Sequence, residues 1–141
     1  MAKRTFKRIH TTKAGVTNIP STQGVVFDGM VHTSGVGPLK PGGHELETSS
    51  FRAQVELTIN NLREILKAGG SDFSHCVRIM VLLADFELVQ EFNEIYSELM
   101  PRPFPPRMCF IVDIVKKPVL IEMHAVGAVI DETEMIQAEG A

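Results

Sequence analysis

The sequence predicts a single α+β domain in which one mixed β-sheet carries two helices on one face. Three observations predict this fold class. The chain has 141 residues, a length that suits one domain. Residues 51–66 and 86–99 carry apolar side chains at helical spacing. The other apolar stretches are short and β-rich, and they place the elements in the order strand, hairpin, helix, strand, helix, strand, strand. We find no internal repeat or linker, so residues 1–141 form one domain with a polar tail from about residue 131.

The N-terminal third predicts strands and turns. Residues 3–8 are mostly basic and indicate a polar first strand, although four basic residues in so short a span also resemble an organelle presequence. Asp28-Gly29 lies between two apolar runs, and both residues tolerate positive φ, so the pair predicts a two-residue hairpin turn. Residues 35–43 hold four glycines and two prolines and predict an exposed loop.

The first helix has signals at both ends. Ser49 or Ser50 can accept a hydrogen bond from a free amide of the first turn, and Gly69-Gly70 favours termination. The apolar stripe consists of Phe51, Val55, Ile59, Leu62 and Leu66. The residues expected to face outward are Asn60, Asn61, Arg63, Glu64 and Lys67.

The second half of the chain predicts three strands and a helix. Residues 76–84 form a β-rich run, and Asp85 caps a helix at residues 86–99. Four prolines within residues 101–106 exclude a continuing helix and favour an extended loop. The last two strands are expected at residues 107–114 and 118–130.

The strand at residues 108–112 is apolar on both faces, which predicts self-association. Two helices cover only one face of a five- or six-stranded sheet, and soluble proteins avoid leaving the other face as an exposed apolar patch. We therefore expect a homo-oligomer that buries this face. The alternative is a monomer with a third covering layer, but no sequence remains to build one.

Composition excludes several classes of function. The formal net charge is −3 and the pI is about 5.9, which disfavours a nucleic-acid surface. No apolar stretch approaches the ~20 residues that a membrane span requires, and the N-terminus lacks the apolar core of a secretory signal. The two cysteines, Cys76 and Cys109, form no C-x-x-C motif and indicate reduced thiols. We expect a cytoplasmic protein without a membrane or nucleic-acid partner.

Familiar cofactor and metal motifs are missing from the sequence. There is no P-loop, dinucleotide-binding or zinc-protease motif, and the five histidines lack paired ligand spacing. The one G-x-G, Gly35-Val36-Gly37, opens a proline-glycine loop and favours a tight turn over a phosphate site. We therefore expect no metal and no cofactor.

The strongest chemical signal lies in the last two strands. Arg107 and Cys109 are two residues apart and share a strand face, and so do Glu122 and His124. Glu122 lies among apolar residues, where a carboxylate must be paired or protonated. An Arg107–Glu122 ion pair that only joins two strands or two subunits explains these residue types equally well. For Cys109 alone, a packed small side chain is the better explanation.

The sequence resembles the RidA/YjgF family of reactive imine and enamine deaminases over residues 19 to 129. The matching motifs are Thr33-Ser34-Gly35, residues 54–69 with a helix ending in Ala-Gly-Gly, Asp85-Phe86 with Asn93-Glu94-Ile95-Tyr96, Phe104-Pro105-Pro106-Arg107-Met108-Cys109, and Ile121-Glu122. Each fragment alone is a weak signal, but all five occur in the family's order at matching spacing.

The resemblance implies a homotrimeric barrel of the chorismate-mutase type (bacillus type), with three sites in the clefts between subunits. It implies cofactor-independent hydrolysis of 2-imino or 2-enamino acids to 2-oxo acids and ammonia. In this scheme Arg107 holds the substrate carboxylate and Glu122 positions the water. The amides near Ser34 and Gly35 and the backbone of Cys109 complete the pocket, to which Asn93 also belongs by its family position.

One departure from the family concerns the pocket wall. Ser21 stands where many relatives have a tyrosine, so the aromatic wall is absent, or Phe104 or Phe110 restores it. With His124 as an additional imidazole, this suggests a wider and more polar pocket for a dicarboxylic, aminomuconate-like enamine. The alternative function is a non-catalytic ligand-binding or protective trimer, of the chaperone-like or translation-inhibitor type, on the same scaffold.

Overall fold

A computed structural model describes residues 1–138 as one mixed six-stranded sheet with two helices on one face. The strands are β1 (Phe6–Ile9), β2 (Gly24–Phe27), β3 (Met30–Thr33), β4 (Cys76–Leu83), β5 (Arg107–Ile111) and β6 (Ile121–Ala128). The helices are α1 (Phe51–Ala68) and α2 (Val89–Leu99), with short 3-10 helices at Phe73–His75, Phe86–Leu88 and Ile130–Glu132. The predicted α+β class with two helices is confirmed.

The strand order in the sheet is β1-β2-β3-β6-β4-β5. All neighbouring pairs are antiparallel except β4 and β5, which are parallel. The loop with four prolines and α2 together form the crossover that parallel pairing requires. As a result β4 lies between β5 and β6, although β5 and β6 are consecutive in the chain.

The hairpin and the first helix follow the predicted local chemistry. Asp28 and Gly29 have φ values of 52° and 74°, as the two-residue turn between β2 and β3 requires. Ser50 caps α1 through its side chain, which accepts a 3.0 Å hydrogen bond from the amide of Ala53. Asp85 accepts a hydrogen bond from the Glu87 amide, so the second predicted cap is also confirmed. The capped element is a 3-10 turn, Phe86–Leu88, which leads into α2.

The core lies between the helices and one face of the sheet. Val55, Ile59 and Leu62 of α1 are at most 1% exposed and pack over the central strands. From the sheet, alternate residues of β4 and β6 complete this core: Ile79, Val81, Leu83, Ile121, Met123 and Ala125. None of the helices within residues 1–138 combines the length and apolar character needed to cross a bilayer.

The opposite face of the sheet, which we call the open face, carries no helix. Its exposed apolar side chains include Phe27, Met108 and Phe110, and the last two are 46% and 49% exposed. The expected two-helix cover on one face is therefore confirmed for the described chain.

Two predictions about single elements are wrong. Asn61 was expected to face outward, but it is only 1% exposed because its amide binds the backbone of two loops beneath α1. The last two strands are shorter than predicted, since Pro118 and the preceding loop stay outside the sheet.

Candidate functional site

Arg107 and Glu122 lie on opposite faces of the sheet. Arg107 is in register with Ile79, whose side chain is fully buried on the helix side. Glu122 is in register with Leu82, three residues along the same strand, and so projects from the open face. None of the ion pairs among residues 1–138 includes either residue. An ion pair that joins the two strands within one chain is therefore wrong, and the reason is the intervening strand β4.

The predicted site residues fall into two groups, which we call half-sites. The guanidinium half-site consists of Arg107, Asn93, Tyr96, Phe92 and Cys109, where β5 meets α2. The carboxylate half-site consists of Glu122, Gly35, Ser34 and Ser21, where the N-terminal end of β6 meets the loop after β3. The structure brings the members of each group together, but it does not bring the two groups together within one chain.

In the guanidinium half-site, α2 fixes the side chain of Arg107. The guanidinium donates a hydrogen bond from Nη2 to Oδ1 of Asn93. Its central carbon lies 4.7 Å from the ring centroid of Tyr96 and 5.4 Å from that of Phe92, which are cation–π distances. Atom Nη1 is buried and has no hydrogen-bond partner among the described residues. A fixed guanidinium with an unused donor and no acid beside it is suited to bind an anion.

The sequence analysis missed the aromatic residues of this half-site. Phe92 and Tyr96 are one helical turn apart on α2 and flank the predicted Asn93. Their spacing indicated only a core stripe, and it could have suggested a cation–π platform once Asn93 was assigned. Phe104 extends the same aromatic group, because its ring centroid lies 6.1 Å from that of Tyr96.

Cys109 lies two residues beyond Arg107 on the same strand and is exposed. Burial of the sulfur raises the pKa of the Cys109 thiol, and the nearby charge of Arg107 opposes this only in part. A thiol with a raised pKa stays protonated at neutral pH and is a poor nucleophile. The geometry therefore suits Cys109 as part of the pocket wall.

In the carboxylate half-site, Glu122 lies directly over Gly35. A Cβ placed on Gly35 would stand 2.7 Å from Oε1 of Glu122, so a larger residue would displace the carboxylate from its present position. Val36 and Met123 exchange two backbone hydrogen bonds of 2.7 and 2.9 Å, which hold the Gly35 loop against β6. Burial raises the pKa of Glu122 above its ordinary value of 4.5. The half-site thus presents a carboxyl group that exchanges protons more readily near neutral pH.

Two serine hydroxyls border this carboxyl group. Ser21 Oγ and Ser34 Oγ lie 3.2 Å apart, and Ser34 donates to the backbone carbonyl of Thr22. Both serines line the same cavity as Glu122. Ser21, which the sequence analysis assigned to the pocket wall, thus lies beside Ser34 at the edge of this half-site.

His124 lies on the open face two residues beyond Glu122 and is in register with Met80. Burial lowers the pKa of His124, and the neighbouring Arg78 charge lowers it further. The imidazole is therefore neutral at physiological pH. It does not line the cavity beside Glu122, so the structure places it next to the carboxylate half-site and outside it.

A cavity of about 280 Å³ adjoins Glu122 and runs between the loop after β3 and the loop before β6. Sequence reasoning did not foresee it, because its walls come from four separate segments. A larger but shallower groove of about 790 Å³ follows the outer side of α2. That groove is lined by Glu87, Glu94 and Glu98, which would repel a carboxylate. Within residues 1–138 no three His, Cys, Asp or Glu side chains are grouped as a metal site would need.

Comparisons with known proteins agree with this architecture. Residues 12–129 match the family model described as endoribonuclease L-PSP. The chain is 34% identical to human 2-iminobutanoate/2-iminopropanoate deaminase over 119 residues, which cover 84% of this chain and 87% of the human protein. The crystal structure of RidA from an Antarctic Psychrobacter species superposes with a TM-score of 0.81 at 26% identity, over 87% of this chain and 99% of that one.

A third relative has a ligand in its crystal structure. Escherichia coli TdcF with bound serine superposes with a TM-score of 0.79 at 28% identity, over 86% of this chain and 98% of TdcF. The family model covers most of the chain, and the fold agrees with that of the RidA crystal structure. The chain therefore belongs to the RidA/YjgF family.

Proposed function

We propose that the protein hydrolyses 2-imino and 2-enamino acids to 2-oxo acids and ammonia, at a site that two copies of the chain build together. The observation that carries this proposal is the separation of the half-sites: an anion-binding guanidinium and a proton-exchanging carboxyl group lie on opposite faces of one sheet. Each alone is incomplete for this chemistry. Deamination of 2-iminobutanoate and 2-iminopropanoate, the activity for which the human relative is named, is best served by both.

The proposed assembly is a homotrimer in which the open faces meet around a common axis as a chorismate-mutase-like barrel. Burying Phe27, Met108 and Phe110 supplies a hydrophobic driving force. Because β5 is an edge strand of the sheet, a neighbouring copy can bring its Arg107 next to Glu122. Three such clefts give three equivalent sites.

The guanidinium half-site binds the substrate in this proposal. Arg107 holds the substrate carboxylate with paired hydrogen bonds and so fixes the plane of the C=N group. Asn93 orients the guanidinium from behind. Cys109 contributes wall and backbone contacts, and the amide of Gly35 from the other copy binds a remaining polar atom of the substrate. The Ser34 amide is not free for this role, because it donates to the Gln23 carbonyl at 2.9 Å. Serine, which is bound in the TdcF crystal structure, likewise carries a carboxylate next to a carbon that bears nitrogen.

The carboxylate half-site carries the chemistry. Glu122 orients a water molecule over the carbon of the protonated imine and accepts a proton from it as the new C–O bond forms, which gives a neutral carbinolamine. Glu122 then returns this proton to the amino nitrogen. The C–N bond breaks as the oxygen forms the C=O bond, and the hydroxyl proton passes back to Glu122 and on to solvent. The products are a 2-oxo acid and ammonia. A carboxyl group whose pKa lies closer to neutrality serves both directions of proton transfer.

The finer proposal concerns the substrate. Ser21 presents a small hydroxyl where a tyrosine would narrow the entrance, and His124 adds a neutral imidazole nearby. We propose an aminomuconate-like, dicarboxylic enamine as the specialised substrate. Phe104 lies with the guanidinium half-site, where it could restore an aromatic wall.

The test is a deaminase assay in which an amino-acid oxidase forms the imine in situ. Arg107→Ala is expected to remove measurable turnover while the oligomer persists. Arg63→Ala is the matched control, because Arg63 lies on α1, stacks on Phe73 and belongs to neither half-site. Full activity of Arg107→Ala would contradict the proposal. Binding of 2-oxobutanoate by the natural chain without turnover of any imine would establish the ligand-binding alternative instead.

A further inference from the structure

The cavity beside Glu122 is long enough to hold more than the reacting atoms. It has a volume of about 280 Å³, with Glu122, Ser34 and Gly35 at one end. Leu46 and Lys116 also line it, Leu46 from the later part of the loop after β3 and Lys116 from the loop before β6. A substrate held at its carboxylate and its imine carbon therefore has an enclosed space into which its side chain can extend.

Part of the cavity wall is fixed by a buried amide of α1. Asn61 donates from Nδ2 to the carbonyl oxygens of Gly37 and Leu39, at 3.1 and 2.7 Å. Its Oδ1 accepts from the amide of Gly15 at 3.3 Å. One side chain thus ties two loops to the helix, so these loops cannot move together to fill the space without losing buried hydrogen bonds.

A second buried amide holds the facing wall. Gln54 donates from Nε2 to the carbonyl of Pro118 at 3.2 Å, and its Oε1 accepts from the amide of Leu120 at 2.8 Å. Gln54 is 3% exposed. It fixes the segment that leads from Lys116 into β6. The cavity is therefore a built feature of the fold.

The lining has a distinct chemistry. Nine of its side chains are apolar, including Leu39, Leu46, Ile65 and Val119, and ten are polar or charged. Lys116 is the only lysine or arginine that lines it, and Glu122 is the only acid. Lys116 forms no ion pair within residues 1–138. A partly apolar cavity with an unpaired lysine is suited to a short aliphatic side chain that ends in an anionic group.

We infer that this cavity receives the substrate's side chain and that Lys116 pairs with an acidic group at its end. The inference rests on the proposed deaminase function and adds that the cavity and Lys116 determine substrate specificity. The favoured substrates are then 2-imino acids whose side chain carries a second carboxylate. Lys116 is exposed, so we expect its charge to contribute a selectivity of about two- to fivefold. The shape of the cavity contributes the rest.

The experiment compares two imines on the full chain. Oxidases generate 2-iminopropanoate from alanine and 2-iminoglutarate from glutamate, and the measured quantity is the ratio of their kcat/KM values. The natural chain is expected to favour 2-iminoglutarate. Lys116→Glu should lower the ratio about two- to fivefold or more, because it replaces attraction by repulsion. Leu46→Trp fills the cavity from a loop and should lower the ratio as well. If the tryptophan variant does not fold, Leu46→Phe is used in its place.

Each outcome has a separate meaning. A ratio that Lys116→Glu leaves unchanged overturns the role of Lys116, and a ratio that Leu46→Trp and Leu46→Phe leave unchanged overturns the side-chain cavity. Absence of all imine turnover would contradict the proposed function instead. In that case calorimetric binding of 2-oxoglutarate tests the cavity by itself: binding that Lys116→Glu weakens supports the inference, and binding that it leaves unchanged overturns it.

Discussion

Arg107 and Glu122 project from opposite faces of the same sheet, and β4 lies between the strands that carry them. No rotamer change brings a guanidinium through a packed sheet to a carboxylate on its other side. If both residues act on one substrate molecule, they must come from two copies of the chain. This relationship links the exposed apolar face to the proposed chemistry, because the contact that buries the face also completes the site.

The first prediction concerns the contact between Gly35 and Glu122. In Gly35→Ala the new methyl group would stand 2.7 Å from Oε1 of Glu122 and displace the carboxylate. Because misplacing a catalytic group by about 1 Å costs about a hundredfold in rate, kcat/KM in the imine assay should fall by that order. Gly43→Ala is the matched control, since a Cβ at Gly43 meets no atom within 4 Å. Equal activity of the two variants would contradict the placement of Glu122.

The second prediction concerns Asn93, which acts through Arg107. Asn93→Ala removes the acceptor of the Nη2 hydrogen bond, so the guanidinium loses its fixed orientation. We expect KM to rise about tenfold, as for the loss of a hydrogen bond to a charged group, with a smaller change in kcat. Asn93→Asp should raise KM further, because its carboxylate competes with that of the substrate. Gln90→Ala, an exposed change one turn earlier on α2, is the control. A fall in kcat at constant KM would argue against the orienting role.

The third prediction is a pH dependence of stability. Burial raises the pKa of Glu122 above its ordinary value of 4.5, so the folded state binds this proton more tightly than the unfolded state. The contribution of Glu122 to the free energy of unfolding is therefore complete below its pKa in the unfolded state. It is lost as the pH rises through its pKa in the folded state. Glu122→Gln does not titrate. Its melting temperature relative to that of the natural chain should rise between pH 4 and pH 8, while its deaminase activity is lost. A relative melting temperature that falls over this range would contradict the assignment.

The fourth prediction concerns the buried amide of Asn61. Asn61→Ala leaves the carbonyls of Gly37 and Leu39 without their donor in an enclosed site. We expect a loss of about 2 to 4 kcal/mol in the free energy of unfolding. Asn60→Ala, the neighbouring position on the same helix, should change it by no more than about 0.5 kcal/mol. Urea unfolding at a fixed protein concentration measures both, and equal losses would show that the amide is not needed.

The sequence predicted elements whose signals are local. The stripe from Val55 to Leu66, the Ser50 cap and the Asp28-Gly29 turn depend on neighbours within a few residues, and the structure has all three. The assignment of Asn93, Arg107, Ser34 and Glu122 to one pocket followed from the resemblance to the family, not from local patterns.

The features that the sequence did not predict depend on the order of strands. Strand periodicity shows which neighbours share a sheet face with Arg107 and which share one with Glu122. It does not show that β4 lies between the two strands that carry them. Asn61 is polar and next to the exposed side of α1, so only its loop partners explain why it is buried. The cavity next to Glu122 was not predicted, because residues that are distant in sequence enclose it.

The central claim is that Arg107 of one copy and Glu122 of another serve the same substrate molecule. The most direct measurement mixes two inactive variants, Arg107→Ala and Glu122→Gln, by co-expression or joint refolding, and assays imine hydrolysis. In a randomly mixed assembly about a quarter of the sites join an intact arginine from one copy to an intact glutamate from the other, so about a quarter of the natural activity should return. A mixed assembly as inactive as either variant alone would contradict the shared site.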